Sequence, residues 1–346
     1  MPFRDLVDQD HAVLLLRTAV RSSRVSHAYL FVGPRGVGRH RTAIAFAQLL
    51  NCERADSDAC GQCRACTLIA SGQHPDVRVV DVAGGRVLDP EDTTKTGIGI
   101  KQVLALRREV VYPPYQGRWK VYVLADAETM TTEAANSLLK VLEEPPDRVV
   151  IILIAESTVP LLPTVVSRCQ LVRFSLIPAP AIERALVERH GVPKGRARFV
   201  AALSGGELGR AVRWVTSEET QQRRERVLDL LERLEGADPL DRLDAAEEFS
   251  KDKDNLPELL EVALFWYRDI LVWQQTGDDD RLINLDRRDR IAALAPTLPL
   301  ALLNARIQAV EDAGDALERN VHPRLLLETL FLRIAPPTAP APGRRS

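Results

Sequence analysis

The sequence predicts two kinds of structure in series, an α/β module built on a parallel sheet and then an all-α half. Three observations carry this. Up to about residue 177, short apolar runs alternate with helix-period stretches, the order of a parallel sheet with crossover helices. The segment Gly33-Pro34-Arg35-Gly36-Val37-Gly38-Arg39-His40 joins the first apolar run to an Ala-rich helical stretch, the place of a phosphate-binding loop. Beyond Ile177-Pro178-Ala179-Pro180 every periodic stretch reads as helix.

In order, the strands are expected at Ala28–Val32, Val77–Val82, Lys120–Leu124, Val149–Ile154 and Gln170–Phe174. Helices are expected at Asp10–Ser22, Arg39–Leu50, Lys101–Val110 and Thr132–Leu142. Pro145-Pro146 ends the last of these, because proline cannot continue a helix and restricts the residue before it. Ala181–His190, Lys194–Leu203 and Gly209–Thr216 would form a small three-helix unit, and Gln221–Glu235 would bridge onward to a boundary at Ala237-Asp238-Pro239. Leu240–Phe249, Leu256–Gln275, Asp286–Leu294, Leu300–Arg319 and Pro323–Ile334 read as a helical bundle. The Pro- and Ala-rich tail, 335–346, reads as disordered.

At 346 residues, two or three domains are expected. Hydrophobic content of 45% and charged content of 27% are ordinary for globular protein. A net charge of −2 and 5% aromatics argue against tight, independent DNA binding, which needs basic excess and stacking surfaces. No run reaches the roughly 18 apolar residues of a membrane helix, and the first residues carry no apolar signal region. A cytoplasmic protein with no membrane partner is expected. In that reducing setting, five cysteines argue for metal or free thiols over disulfides.

The loop keeps its architecture and loses its chemistry. In G-x-x-x-x-G-K-[ST] the lysine reaches the β/γ-phosphates and the hydroxyl holds Mg²⁺. Here Gly33, Gly36 and Gly38 remain, but Arg39 stands for the lysine and His40 for the hydroxyl. Cys52, Cys60, Cys63 and Cys66 read C-x7-C-x2-C-x2-C. Four thiolates satisfy tetrahedral Zn²⁺, two-residue gaps turn neighbours onto one ion, and a full set leaves no open position for catalysis. A structural zinc is therefore expected, ordering a polar loop that has no core of its own. Cys169 reads as an ordinary buried thiol.

With these segments in place, the chain resembles the bacterial clamp-loader AAA+ proteins of DNA polymerase III, most closely their delta-prime branch. Four features carry the resemblance over residues 26–169: Ser26-His27-Ala28-Tyr29-Leu30-Phe31 leading into the glycine loop, the cysteine module directly after the following helix, Asn136-Ser137-Leu138-Leu139-Lys140-Val141-Leu142-Glu143-Glu144-Pro145-Pro146, and Ser167-Arg168-Cys169. The resemblance implies an AAA+ module over residues 1–177 with the zinc module at 52–66, a helical lid over 178–236 and a helical collar over 237–334 that oligomerises. It implies gamma/tau and delta subunits as partners, the sliding clamp as the object loaded, and primed DNA met through the complex. It implies that Arg168, set in place by Ser167 and Cys169, is an arginine finger directed at ATP bound by the neighbouring subunit.

The same comparison shows what is missing. A working Walker B strand ends in Asp-Glu; here Val121-Tyr122-Val123-Leu124 is followed by Ala125-Asp126-Ala127-Glu128, and neither register restores the acidic pair. In the lid, Gly209 falls where active members carry a phosphate-sensing arginine, with Arg210 one step away. Phosphoryl transfer is catalysed by positioning and charge, so losing these groups together removes most of its terms. No intrinsic ATPase is expected. Nucleotide binding by this chain's own loop is doubtful, although Arg39 keeps a cation and a helix N-terminus attracts anions.

Two other readings compete. An active gamma/tau-type ATPase would need the missing Lys-Ser/Thr pair. A stand-alone zinc-stabilised DNA-binding protein would need more positive charge. Arg21, Arg24, Lys95, Lys101, Arg107 and Arg108 read as a solvated charged face before they read as DNA contacts, and Tyr112-Pro113-Pro114 as a loop stiffener. His27 and His40 lack an acidic triad partner, which leaves nucleophilic catalysis unsupported.

Overall fold

The computed structural model describes residues 2–82, 84–89, 97–319 and 321–334. Lys95 and the tail 335–346 lie outside them. The chain divides into two compact units, Met1–Ile182 with Ser204–Arg210, and Glu183–Leu203 with Ala211–Ser346.

The first unit is a five-stranded, wholly parallel sheet of β1 (Ala28–Val32), β2 (Val77–Val80), β3 (Lys120–Leu124), β4 (Val149–Ala155) and β5 (Gln170–Arg173), in the order β2-β3-β4-β1-β5. The three inner strands are buried at every residue, so they read as continuous apolar runs; a parallel sheet is covered on both faces. Alternate side chains separate cleanly. Tyr29, Phe31, Val121, Val123, Val150 and Ile152 face a core shared with α1 (Asp10–Arg21) and α2 (Arg39–Asn51). Leu30, Tyr122, Leu124, Ile151 and Leu153 face the other, shared with α4 (Ile100–Val110) and α5 (Thr132–Glu143).

β2 stops two residues earlier than expected, because Asp81 turns away to bridge Arg86 in an antiparallel pair. Two short helices escaped the sequence reading: α3 (Arg64–Ala70), inside the cysteine module, and α6 (Pro163–Val166), just before Arg168. Each is too short to show a period. Thr131 caps α5 by accepting the N–H of Ala134, and the Pro145-Pro146 stop holds.

Nine helices follow among the described residues: α7 (Ala179–His190), α8 (Lys194–Leu203), α9 (Leu208–Thr216), α10 (Glu218–Leu234), α11 (Pro239–Ser250), α12 (Leu256–Thr276), α13 (Arg288–Leu294), α14 (Leu300–Glu318) and α15 (Pro323–Arg333). α7 and α9 begin within the first unit. In the second unit Trp266, Tyr267 and Ile270 of α12 sit at the centre of a core shared with α10, α11, α14 and α15. The helix expected from Asp286 starts at Arg288, after a 3₁₀ turn at Leu285–Arg287. Among the described residues no single helix is long and apolar enough to cross a membrane.

Candidate phosphate loop, arginine and metal sites

The glycine loop leaves the sheet at the C-terminal end of β1, between β4 and β5, the side on which open α/β sheets take ligands. Its glycines are required by space and by backbone. A Cβ on Gly33 would lie 2.4 Å from the Phe174 carbonyl oxygen, and one on Gly36 2.9 Å from Glu207 Cβ. Gly38, at φ 103°, turns the chain into α2 from the left-handed region that glycine adopts without steric cost. The Gly209 N–H donates to the Gly36 carbonyl at 2.9 Å, so Ser204–Arg210 closes on the loop and leaves no arginine side chain at position 209.

Beside the loop is a cavity of about 410 Å³ lined by Arg35, Gly36, Arg39, His40, Asp126 and Gly209, among others. Arg39 is 7% exposed, and its Nη1 has no hydrogen-bond partner among the described residues. Burial pulls its pKa down, against the opposing pull of the Glu128, Glu156 and Asp126 carboxylates. Burial, helped by Arg86, also lowers the His40 pKa, so its imidazole is neutral at pH 7. Arg35 donates from Nε to Glu156 and lies 4.0 Å from Asp126. Its pKa is raised, chiefly by that hydrogen bond. Asp126 sits at φ 48°, immediately after Ala125, whose N–H is spent on the Val80 carbonyl. Asp126 and Glu156 therefore both face Arg35, while Glu128 Oε1 accepts the Glu156 N–H at 3.3 Å. Glu156 was not singled out from the sequence; the available signal was that it directly follows a fully buried strand beside β1.

Arg168 lies elsewhere. Tyr29 of β1 pairs with Gln170 and Val32 with Arg173, so Arg168 precedes β5 at the N-terminal edge while the glycine loop leaves at the C-terminal edge. At about 3.3 Å per residue, at least about 10 Å of strand separates them. The Arg168 Nη1 donates to the Thr164 carbonyl at 3.0 Å and its Nη2 pairs with Glu143 Oε1 at 2.7 Å. Ser167 Oγ donates to the same Thr164 oxygen at 3.1 Å. Cys169 is half-buried, short of the full burial expected, and burial pushes its thiol up to about 12.

The four module cysteines do converge. Their sulfur atoms all lie within 4.8 Å of one another, with Cys52 and Cys63 Sγ 3.9 Å apart. Tetrahedral zinc with ~2.3 Å bonds sets sulfurs about 3.8 Å apart, so the donor set fits the ion. Around it, the Cys60 N–H points at Cys52 Sγ (3.3 Å), while the Gln62 and Cys63 N–H groups point at Cys60 Sγ (3.4 and 3.2 Å). Those last two donors bring the Cys60 thiol down to about 6. Burial pushes Cys66 strongly the other way.

The module is better rooted than its polar composition suggested. Cys52, Ala59, Cys66 and Ile69 are buried in the same core as Tyr29 and Phe46. Asp58 accepts N–H groups from Phe3 and Arg4 and a guanidinium bond from Arg17, fastening the N-terminal segment to it.

The segment that follows Tyr112-Pro113-Pro114 is anchored by a buried carboxylate. Asp76, 1% exposed, accepts the N–H groups of Tyr115, Gln116 and Gly117 at 2.6, 2.7 and 2.7 Å. Lys120 Nζ closes α4 on the carbonyls of Glu109 and Tyr112. Of the basic residues noted above, Arg107 bonds Ser137 Oγ at 3.2 Å.

Fold and loop together define a phosphate-loop α/β protein with a cysteine insert and a helical extension. The sequence matches the family described as DNA polymerase III, delta subunit, over residues 8–178, and that described as DNA polymerase III, delta subunit, C terminal, over 218–335. DNA polymerase III subunit delta' of Bacillus subtilis (strain 168) is 33% identical over 331 residues, covering 94% of this chain and 96% of its own length. The protein of the same description from Pseudomonas aeruginosa is 36% identical over 334 residues, covering 92% and 94%. DNA polymerase III subunit tau of Bacillus subtilis is 26% identical over 355 residues, covering 96% of this chain and 61% of its own. The chain belongs to the DNA polymerase III delta-prime family.

Proposed function

We propose that this chain is the non-hydrolysing delta-prime-like subunit of a DNA polymerase III clamp loader, and that it lends Arg168 to ATP held by a neighbouring subunit. In this reading residues 1–177 are an AAA+ module, 178–236 a lid and 237–334 a collar that joins it to gamma/tau and delta subunits. The complex opens the sliding clamp and places it on primed DNA in the cytoplasm. One observation carries the reading. Arg168 stands half-exposed at the edge of the sheet remote from the chain's own glycine loop, so it cannot serve that loop in cis. A guanidinium supplied in trans neutralises charge developing on the transferred phosphoryl group.

At its own loop the chain offers Arg39, buried, where a flexible lysine would reach, and a neutral His40 where Mg²⁺ would need a hydroxyl. Ala125 and Asp126 do not supply the acidic pair, and Asp126 faces Arg35. Zinc fits a structural role, since all four of its positions would be filled by thiolates.

The test is reconstitution with gamma/tau and delta. Arg168→Ala and Arg168→Lys should both depress clamp- and DNA-stimulated ATP turnover and clamp loading, since lysine lacks the planar fork. A finger in trans is worth on the order of 10³–10⁵ at the site it serves. Unchanged turnover in both variants, or robust hydrolysis by the purified chain alone, would refute the reading.

A further inference from the structure

The guanidinium of Arg168 has two partners, one at each Nη. Nη2 meets Glu143 Oε1 at 2.7 Å and Nη1 meets the Thr164 carbonyl at 3.0 Å. A guanidinium carries five N–H groups in a rigid plane, so two bonds still leave roughly three for another partner. We propose that Glu143 is a positioning residue for Arg168. Its carboxylate and the Thr164 carbonyl hold the inner N–H groups and turn the rest outward, toward a phosphate on an adjoining protomer. The inference rests on the reading of Arg168 given above.

The sequence explains why the two residues meet. Pro145-Pro146 forces α5 to stop, and Glu143 is its last helical residue. The end of α5 therefore lies just before β4, and the end of α6 just before β5. Since β4 and β5 flank β1, both ends come to the same edge of the sheet. A carboxylate in the last turn of a helix opposes the helix dipole, so the local helix does not account for Glu143. The partner that relieves it is Arg168. Ser167 Oγ donates to the same Thr164 oxygen at 3.1 Å, which further fixes the turn carrying the arginine.

Strength matters as much as geometry. The side chains of Arg168 and Glu143 are 36% and 47% exposed, and ion pairs in that setting are weak and yield to competition. Glu143 can thus narrow the orientations of a long side chain without sequestering its charge. A fully buried pair would have withheld the guanidinium from phosphate.

The experiment uses the complete reconstituted complex, with this chain as wild type, Glu143→Ala, Glu143→Gln, Arg168→Ala and the Glu143→Ala/Arg168→Ala double variant. Glu143→Ala should lower stimulated kcat roughly two- to fivefold, the range open to an exposed pair. KM for ATP should stay within about twofold. Glu143→Gln keeps an acceptor oxygen and should recover most of the loss. In the Arg168→Ala background, Glu143→Ala should cost nothing more, which a merely structural role would not produce.

A kcat that is unchanged or raised in Glu143→Ala, while Arg168→Ala still lowers it, overturns the role of Glu143 and leaves the finger standing. Losses that multiply in the double variant overturn it as well. If Arg168→Ala itself has no effect, the underlying reading falls first. Thermal unfolding of the isolated variants confirms that each is folded; should Glu143→Ala prove unfolded, the Glu143→Gln and Glu143→Lys chains carry the same comparison, charge reversal being expected to lose at least as much as alanine.

Discussion

Asp76 shows how much one side chain can organise and how little of it is visible in a string of letters. Nothing about His74-Pro75-Asp76 announces that a loop about forty residues later will close on the carboxylate. Burial alone would raise its pKa, but the N–H groups of Gly117, Tyr115 and Gln116 outweigh that and hold it below the ordinary value of 3.8, with His74 adding to the effect. The sign of the linkage follows. A depressed carboxyl stabilises the fold at pH values above its unfolded pKa, and the contribution is lost as pH falls through the folded value. Asp76→Asn should therefore lower stability at pH 7 by about 1.5–3 kcal/mol, the worth of hydrogen bonds to a charged group. The deficit should shrink as pH falls below about 4, where the unfolded carboxyl takes up its proton while the folded one still resists, and should vanish only below the depressed folded value. Urea titrations of both chains at pH 7 and pH 3.5 measure this. An equal deficit at both pH values would remove the charge from the explanation.

At the scale of elements, legibility tracked length and period. The three inner strands were readable because each is a short, mostly apolar run buried on both faces, while the edge strands β2 and β5 carry polar residues among their apolar ones. α3 was not readable: it has seven residues, and its Cys66 belongs to the sulfur cluster as well as to the core. The convergence of four sulfurs was readable from spacing alone, whereas the tie from Asp58 to Phe3, Arg4 and Arg17 was not, because it spans more than forty residues. Through that tie, a metal held by the four sulfurs would influence more than the module. Structural zinc contributes an apparent ~10–16 kcal/mol in small domains. Purified chain should carry one zinc, measured by elemental analysis. Its removal by a strong chelator should lower the first thermal transition and open the Cys52–Cys66 and N-terminal segments to protease, while α12 and its surrounding core stay protected. A metal-free chain with unaltered unfolding and cleavage would show that packing alone holds the module.

Over the whole molecule, charge separates what the chain does alone from what it does in company. Lys and Arg number 46 against 48 Asp and Glu. In each unit some arginines are engaged by carboxylates: Arg35 by Glu156, Arg224 by Asp286, Arg287 by Glu225 and Asp229, Arg306 by Glu235. A chain so balanced releases few counterions on meeting DNA, and each phosphate neutralised contributes about −0.9 to the slope of log K against log salt. The isolated protein should bind primed DNA no better than a non-specific ligand, Kd roughly 10⁻⁴–10⁻⁶ M at physiological salt, with a shallow salt slope. It should bind no more tightly when ATP is added, since its own loop lacks the lysine and the hydroxyl. On the proposed reading the ATP switch lies in the neighbouring subunits, so in complex with gamma/tau, delta and the clamp, affinity should rise steeply and become ATP-dependent. Fluorescence anisotropy of a labelled primer-template, titrated with the chain and with the complex at two salt concentrations, separates the cases. Tight, ATP-responsive binding by the chain alone would mean that the glycine loop works after all.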